Sequence, residues 1–493
     1  MSNESRESLG SRLGFILLSA GCAIGLGNIW RFPWLVGQNG GAVFVFIYIV
    51  FLFILGIPVM TMEFTMGRGA QTSPLRMYHS LVPGKKSWTY HGPLCLAANY
   101  LLMMFYTTVC GWMFIYFAKF ATGGLSGLDA AGVGAAFDGL LGDPVLLCMA
   151  MALVVVLAFF ILSMGLRNGL ERVTKGMMVL LLAMMLLLAV NSCFLAGGAE
   201  GISFYLKPNL DKFLHAEGGP WRVCVNAMNQ AFFTLSLGIG AMAIFGSYIK
   251  RDRSLLGESI RVTILDTFVA LVAGLIIFPA CFAFNGGATG AGPGLIFVTL
   301  PNVFNAMPAG RLWGTMFFVF MSFAAFSTVL AVFENILAMT MEMLHCNRQK
   351  GCVICSSLVF LLSLPCALGF NVLSGIHPLG PNTGFLDLED FLVSNLLLSC
   401  GAILFALFCT HKFGWGWESF CAEANAGKGL KIPTSGPLGK VLHFYLGYVI
   451  PAIIAFVLVI GLVDKYGEIR GNVEKARAAA QTEAVQSESD VAE

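Results

Sequence analysis

The stretch SAGCAIGLGNIWRFPW, Ser19 to Trp34, lies in the first long apolar run of the chain. It places Gly21, Gly25 and Gly27 across the centre of that run, with Asn28, Arg31 and Pro33 directly after them. A helix that crosses a bilayer satisfies its own backbone groups, and glycine in its interior weakens it. Small residues also serve close helix packing in membranes. Three glycines within seven residues, followed at once by Asn, Arg and Pro, exceed what packing needs. The stretch predicts a span broken at mid-bilayer, its freed amides and carbonyls turned toward something charged.

Composition sets the surroundings of that break. Of 493 residues 57% are hydrophobic and only 11% charged, with a mean hydropathy of +0.80. A soluble globule keeps far more charge, so this balance points to a lipid solvent and an all-α integral membrane protein. The net charge of +2 gives no case for a nucleic-acid partner. The 14 cysteines lie mostly inside apolar runs, as Cys110, Cys148, Cys281 and Cys355 do. They read as small core residues rather than zinc ligands or disulfides. The polar opening MSNESRESLGSRLG is followed by many apolar runs and does not read as a cleaved secretory signal.

Apolar runs long enough for a hydrocarbon core of about 30 Å recur along the whole chain. Spans are expected near residues 13–36, 41–66, 94–121, 144–164, 173–196, 226–249, 262–284, 312–344, 352–370, 384–410 and 443–463, eleven in all. Those near 94–121 and 312–344 are longer than a perpendicular crossing and must tilt or project. The expected organisation is an N-terminal segment 1–12, one transmembrane domain 13–463, and a polar, disordered tail 464–493. Alternate loops are rich in Lys and Arg (Arg68 to Lys86, Arg167 to Lys175, Lys250 to Arg253, Arg348 and Lys350, Lys428 to Lys440). The positive-inside rule makes these loops and the N-terminus cytoplasmic. Gly286 to Gly310, apolar but broken by Gly and Pro, suits a re-entrant or surface-lying external segment.

Span 6 repeats the anomaly of span 1. NQAFFTLSLGIGAMAIFGSY sets Thr234, Ser236, Gly238 and Gly240 at its middle. Spans 1 and 6 are five apart, as expected if spans 1–5 (13–196) and 6–10 (226–410) are two structural repeats. Glycine-interrupted spans at matching positions of two halves point to a transporter site at the midplane. Acids inside spans are costly and need partners. Asp266, with no Lys or Arg in its own span, reads as an ion ligand. Glu63, close to Arg68, reads as helix support, and Glu334 stays open between the two roles. Several oxygen ligands without a His/Cys cluster favour a hard cation, Na⁺ above a transition metal. Ser327 and Thr328 of span 8, and the Tyr106 hydroxyl of span 3, belong to the site only if they face the breaks.

The segments AIGLGNIWRFPW (Ala23 to Trp34), NGGAVF (Asn39 to Phe44), GIPVMTMEFTMGR (Gly56 to Arg68) and FFTLSLGIGAM (Phe232 to Met242) resemble the neurotransmitter:sodium symporter family, above all its bacterial amino-acid transporters of the LeuT type. The resemblance runs from about Arg6 to Tyr466 and implies a LeuT-type fold, a 5+5 inverted repeat with broken spans 1 and 6, in a bacterial inner membrane. It implies two Na⁺ sites. The first uses carbonyls of Ala23 and Thr234, the side chains of Asn28, Thr234 and Asp266, and the substrate carboxylate. The second uses carbonyls of Gly21, Ile24 and Ala324 with the hydroxyls of Ser327 and Thr328. The substrate carboxylate would meet the Leu26 and Gly27 amides and the Tyr106 hydroxyl; its ammonium would meet carbonyls of Ala23, Phe233 and Thr234 and the Ser236 hydroxyl. Leu102, Tyr106, Phe233, Ile239, Thr328 and Val332 would line the side-chain pocket, which suits a neutral, hydrophobic amino acid.

The resemblance also explains two departures and two gates. Monoamine members carry an acid where Gly25 stands, so here the substrate should bring its own carboxylate. Asp266 replaces the Asn common in the family, and a fixed carboxylate there would stand in for the chloride of chloride-dependent relatives. Cys22 stands where the bacterial prototype has Asn. Arg31 and Asp390 resemble the external gate; Arg6, Ser247, Tyr248 and Glu342 resemble the internal one, with Glu342 in place of Asp. The family usually has twelve spans, and the eleven found here keep both repeats complete. The implied activity is chloride-independent, Na⁺-coupled amino-acid import by alternating access. The rivals are a proton-coupled or exchange-type carrier of the same architecture and a sensor that binds without moving its ligand. An enzyme is not implied: the sequence has no HExxH and no GxSxG.

Overall fold

Long apolar runs become long helices, and two of them fail at the glycines. The computed structural model describes residues 9–216, 218–284, 286–287, 292–381 and 383–492, with side chains to Glu474. Nine continuous spans cross it: Ala42–Ala70, Lys86–Thr122, Pro144–Ser163, Leu166–Cys193, Leu255–Phe284, Gly310–Leu344, Arg348–Leu368, Phe385–Thr410 and Gly436–Glu474. They are spans 2 to 5 and 7 to 11. Span 1 is the pair Arg12–Ala23 and Gly27–Gln38, bent by 54°. Span 6 is Gly219–Thr234 followed, after six residues without helix, by Ala241–Gly246. Nine spans and the bent span 1 thus stand among the described residues, and the interrupted pair Gly219–Thr234 and Ala241–Gly246 lies where the broken span 6 is expected.

Exposure shows which helices meet lipid. Phe46, Val145, Val190, Val353 and Val459 are all more than half exposed on the outer helices, as apolar side chains are where the solvent is hydrocarbon. Span 8 is 83% buried along its apolar window, span 11 only 33%. Span 8 is the central post and span 11 a peripheral one. Span 8 packs along span 3 through rings such as Tyr116 and Phe318, 5.1 Å between centroids, and through Asn335, which donates to Asn99 at 2.9 Å. Both helices exceed 30 residues, about 48 Å at 1.5 Å per residue.

Three segments singled out by the sequence can now be described. Leu295–Ala306 is a short apolar helix, too short to cross, which suits the surface-lying reading of that segment. Helical backbone continues past Val463 into the tail: one helix runs from Ile450 to Ala492. Its Ala, Glu, Lys and Arg are strong helix formers, and Arg470 pairs with Glu474 one turn on. Cys352 and Cys355 stand at CxxC spacing in span 9, yet both are buried free thiols, and the other cysteines are free as well.

Candidate functional site

In span 1 the first half-helix ends where the Ile24 amide reaches the Ala20 carbonyl, and Ile24 itself is extended (φ −71°, ψ 100°). Helical backbone resumes at Gly27. The gap is bridged by Asn28, whose Oδ1 accepts from the Gly25 amide at 3.1 Å while its Nδ2 donates to Asp266 Oδ1 at 2.8 Å. The Thr234 hydroxyl lies 3.1 and 3.3 Å from the same carboxylate. Asn28, Thr234 and Asp266 are at most 1% exposed. Three side chains from spans 1, 6 and 7 thus share one buried network at the end of the Arg12–Ala23 helix. Its single formal charge is the Asp266 carboxylate.

A second cluster is made almost wholly of oxygens. The Ser327 hydroxyl donates to the carbonyls of Gly21 and Ala324, both at 3.0 Å. The Thr328 hydroxyl stands 3.3 Å from the Gly21 and Ile24 carbonyls and 3.4 Å from that of Ala324. All five residues implied for the second ion site therefore converge, and span 8 does face the break. Carbonyl and hydroxyl oxygens without sulfur or imidazole are the donor set of a hard cation.

Between the clusters lies an inner cavity of 20 Å³ lined by Cys22, Ala23, Gly25, Gly27, Leu102, Tyr106, Phe233, Ser236, Ile239, Thr328, Val393 and Leu398. Across it the Leu26 amide donates to the Tyr106 hydroxyl at 2.9 Å, and Ser236 donates to the Cys22 carbonyl at 3.2 Å. Val332 does not line it, contrary to the sequence reading. It is buried one turn further along span 8, and Val393 and Leu398 of span 10 close the wall instead. Above lies an open vestibule of 360 Å³ that includes Leu26, Arg31, Phe233 and Asp390. Phe233 and Tyr106 line both cavities and form the partition between them.

The outer pair is formed. Arg31 lies 3.8 Å from Asp390, both partly exposed. Ser394 joins them, accepting from Arg31 at 3.0 Å and donating to Asp390 at 2.6 Å. The guanidinium also sits 4.4 Å above the Phe233 ring. On the opposite face, Arg6 lies outside the described residues. Tyr248 donates to Glu334 at 2.8 Å, and Arg348 holds the same carboxylate at 2.8 Å. Glu334, left open by the sequence, is thereby a paired acid. Glu342 accepts from the amide and hydroxyl of Ser73, and Ser247 donates to the Ile244 carbonyl.

Several buried polar residues that sequence reading passed over satisfy backbone groups freed by the breaks, as a lipid interior demands. Gln230 donates to the Gly27 carbonyl at 2.8 Å. Asn99 donates to the Ile239 carbonyl at 2.9 Å. Glu63, expected to support its helix beside Arg68, instead accepts from the Gly238 amide at 2.6 Å, while Arg68 pairs with Glu423 at 2.8 Å. Gly238 has φ +93°, and a Cβ there would overlap the Leu398 carbonyl. Span 6 therefore meets span 10 backbone to backbone. The one signal for these residues was their polarity inside apolar runs.

Known proteins share this fold. The structure of MhsT in complex with L-phenylalanine superposes with a TM-score of 0.81 at 36% identity, covering 92% of this chain and 99% of that one. The sodium-dependent transporter YhdH of Bacillus subtilis is 34% identical over 94% of this chain and 100% of its own length. The sodium-dependent transporter MJ1319 of Methanocaldococcus jannaschii is 31% identical over 84% of this chain and 83% of its own. The description of the Sodium:neurotransmitter symporter family matches residues 6–127 and 139–386. With two broken spans around a buried acid and a cluster of backbone oxygens, and with these relatives, the chain belongs to the sodium:neurotransmitter symporter family of multi-pass, LeuT-fold membrane transporters, which are carriers and not enzymes.

Proposed function

We propose that this chain imports a neutral, apolar amino acid together with Na⁺ bound at two sites, by alternating access and without chloride. The observation that carries the reading is the placement of the inner cavity. It touches the broken backbone at Ala23, Gly25 and Gly27, and its remaining wall is formed by Leu102, Phe233, Ile239, Val393 and Leu398 with three hydroxyls. A substrate carboxylate entering there displaces the Leu26–Tyr106 hydrogen bond and takes both donors. It then stands beside the Asp266 network, where an ion shared with it strengthens both ligands. Substrate and Na⁺ must tighten each other by the same factor, commonly about 1–3 kcal/mol. That MhsT was solved with L-phenylalanine favours the same ligand class here.

The Ser327–Thr328 cluster ties span 8 to span 1 just before the bend, so an ion there holds the first half-helix in place. Asp266 supplies a resident negative charge beside the first ion, which removes the need for an anion from solution. The positive-inside rule, applied to the Lys- and Arg-rich loops, supports a cytoplasmic N-terminus and an external Arg31–Asp390 vestibule.

The test is uptake of labelled amino acids into proteoliposomes, with a thermal-shift screen of the twenty amino acids in Na⁺ or K⁺. Accumulation of Leu-, Phe- or Met-like substrates in NaCl and equally in sodium gluconate is expected. Loss of uptake in gluconate refutes chloride independence. Accumulation without Na⁺ favours the proton-coupled or exchange carrier, and Na⁺-dependent binding without accumulation favours the sensor.

A further inference from the structure

A 150 Å³ cavity on the face that carries the N-terminus has Arg12, Arg253, Ser254, Glu258, Arg261 and Lys428 in its wall. Four cations surround one carboxylate. Glu258 is shared by Arg12 at 2.8 Å and Arg261 at 3.1 Å, whereas Arg253 and Lys428 make no ion pair among the described residues. The Ser254 hydroxyl, on a residue 1% exposed, has no hydrogen-bond partner among the described residues. A buried donor without a partner costs free energy, and this one belongs to a residue in the wall of the cationic cavity.

The floor is rigid. The Ser254 amide donates to the Lys428 carbonyl at 3.1 Å and the Lys428 amide to the Asp252 carbonyl at 2.9 Å. This joins the start of span 7 to the loop before span 11. The loop approaches so closely that a Cβ on Gly427 would overlap the Arg253 amide, and one on Gly429 would lie 2.6 Å from the Ser254 hydroxyl. The cavity's shape thus follows from two glycines and does not depend on side-chain positions alone.

Its position relative to lipid selects the occupant. Arg261, Ile264 and Phe268 follow one another at i, i+3 and i+7 and so share one face of span 7. Ile264 is 53% exposed and Phe268 41%, which makes this a lipid-facing stripe with Arg261 at its foot. Leu430, 59% exposed, stands beside Lys428 on the other rim. Apolar residues above and cations below match a phospholipid, with acyl chains along the stripe and phosphate at its end. At 150 Å³ the cavity equals one that takes a benzene-sized group, which is room enough for a phosphate.

We propose that this cavity binds the phosphodiester headgroup of an anionic phospholipid. Arg253, Arg261 and Lys428 neutralise it and Ser254 donates to it, while Arg12, the first helical residue of span 1, joins the same charge cluster. Basic pockets between spans on the cytoplasmic side recognise anionic headgroups in this way. The site is separate from both cavities of the transport pathway and stands whether or not the proposed substrate is correct.

Native mass spectrometry of the full chain in detergent, titrated with phosphatidylglycerol or phosphatidylethanolamine, tests it. Wild type should retain phosphatidylglycerol in preference. Arg261→Gln/Lys428→Gln should weaken that retention by roughly thirtyfold, at the usual contribution of two interfacial cations. The control Arg172→Gln/Lys440→Gln removes two exposed cations from the same face outside the cavity and should change it little. Equal retention of both lipids, or equal losses in the two double variants, overturns the site. Binding of soluble glycerol 3-phosphate that is lost in Arg261→Gln/Lys428→Gln, with no lipid preference, overturns the lipid and leaves a soluble-anion pocket.

Discussion

The Leu26 amide donates to the Tyr106 hydroxyl at 2.9 Å, tying the bend of span 1 to the middle of span 3. Both groups are donors that lose this mutual contact when a carboxylate arrives between them. Tyr106→Phe removes one of the two and leaves the ring that partitions the cavities. Amino-acid affinity should fall by at least about tenfold, since a hydrogen bond to a charged group is worth roughly 1.5–3 kcal/mol. The shift in melting temperature produced by Na⁺ alone should remain. A variant that lost the Na⁺ shift and kept substrate affinity would contradict the assignment of this pair.

Asp266 makes the sharper case. It is the one formal charge in the network with Asn28 and Thr234, and all three side chains are buried. Asp266→Ala leaves the Thr234 hydroxyl without its carboxylate acceptor, leaves the Asn28 amide only the backbone carbonyl of residue 266 at 3.2 Å, and leaves an incoming cation without a counter-charge. Na⁺-induced thermal stabilisation should require at least about tenfold more Na⁺, a loss of about 1.4 kcal/mol. Substrate affinity should fall with it by linkage. Unchanged Na⁺ dependence would place the first ion elsewhere.

Gly25 is constrained by space as well as by charge. A Cβ at this position would overlap the Tyr106 hydroxyl and lie 2.6 Å from that of Thr328. Gly25→Ala should lower stability by about 1–3 kcal/mol, the usual cost of overpacking. In Gly25→Ala/Tyr106→Phe the overlapping hydroxyl is gone, so part of the loss should return. The measurement is the melting temperature of both variants in Na⁺ without amino acid. Identical melting temperatures would show that Tyr106 yields freely, and that charge alone keeps an acid out of position 25.

The breaks were legible because glycine in a lipid-buried helix has few other uses, and Asp266 because an unpaired acid there is costly. What lay beyond reading was the pairing of residues remote in sequence. Glu63 stands five residues from Arg68, and spacing suggested their association. Only the fold reveals that the Gly238 amide, freed by the break in span 6, takes Glu63 while Glu423 takes Arg68. Val332 illustrates the complementary error. It shares an apolar helix with Thr328, but the cavity wall passes to Val393 and Leu398 of span 10, whose plain apolar pattern gives no sign of facing the site. In the tail, charge and small residues describe a disordered segment and a solvated helix equally well, so composition alone does not give its helical backbone.

The second oxygen cluster permits a test that separates ion from substrate. Ser327 and Thr328 are adjacent and both reach the Gly21 carbonyl. Thr328 alone also lines the inner cavity. Ser327→Ala deletes one oxygen of five while the cavity wall stays intact. It should shift the Na⁺ dependence of stabilisation to higher concentration and lower its cooperativity. The amino-acid affinity at saturating Na⁺ should stay within about threefold of wild type, near 0.6 kcal/mol. Thr328→Val preserves shape but removes a hydroxyl that serves both the cluster and the cavity, so Na⁺ dependence and substrate affinity should both decline. Equilibrium binding of labelled amino acid across a Na⁺ series reads both quantities at once. If Ser327→Ala reduced substrate affinity as much as Thr328→Val at saturating Na⁺, the two hydroxyls would belong to one site, and the second ion would have to be given up.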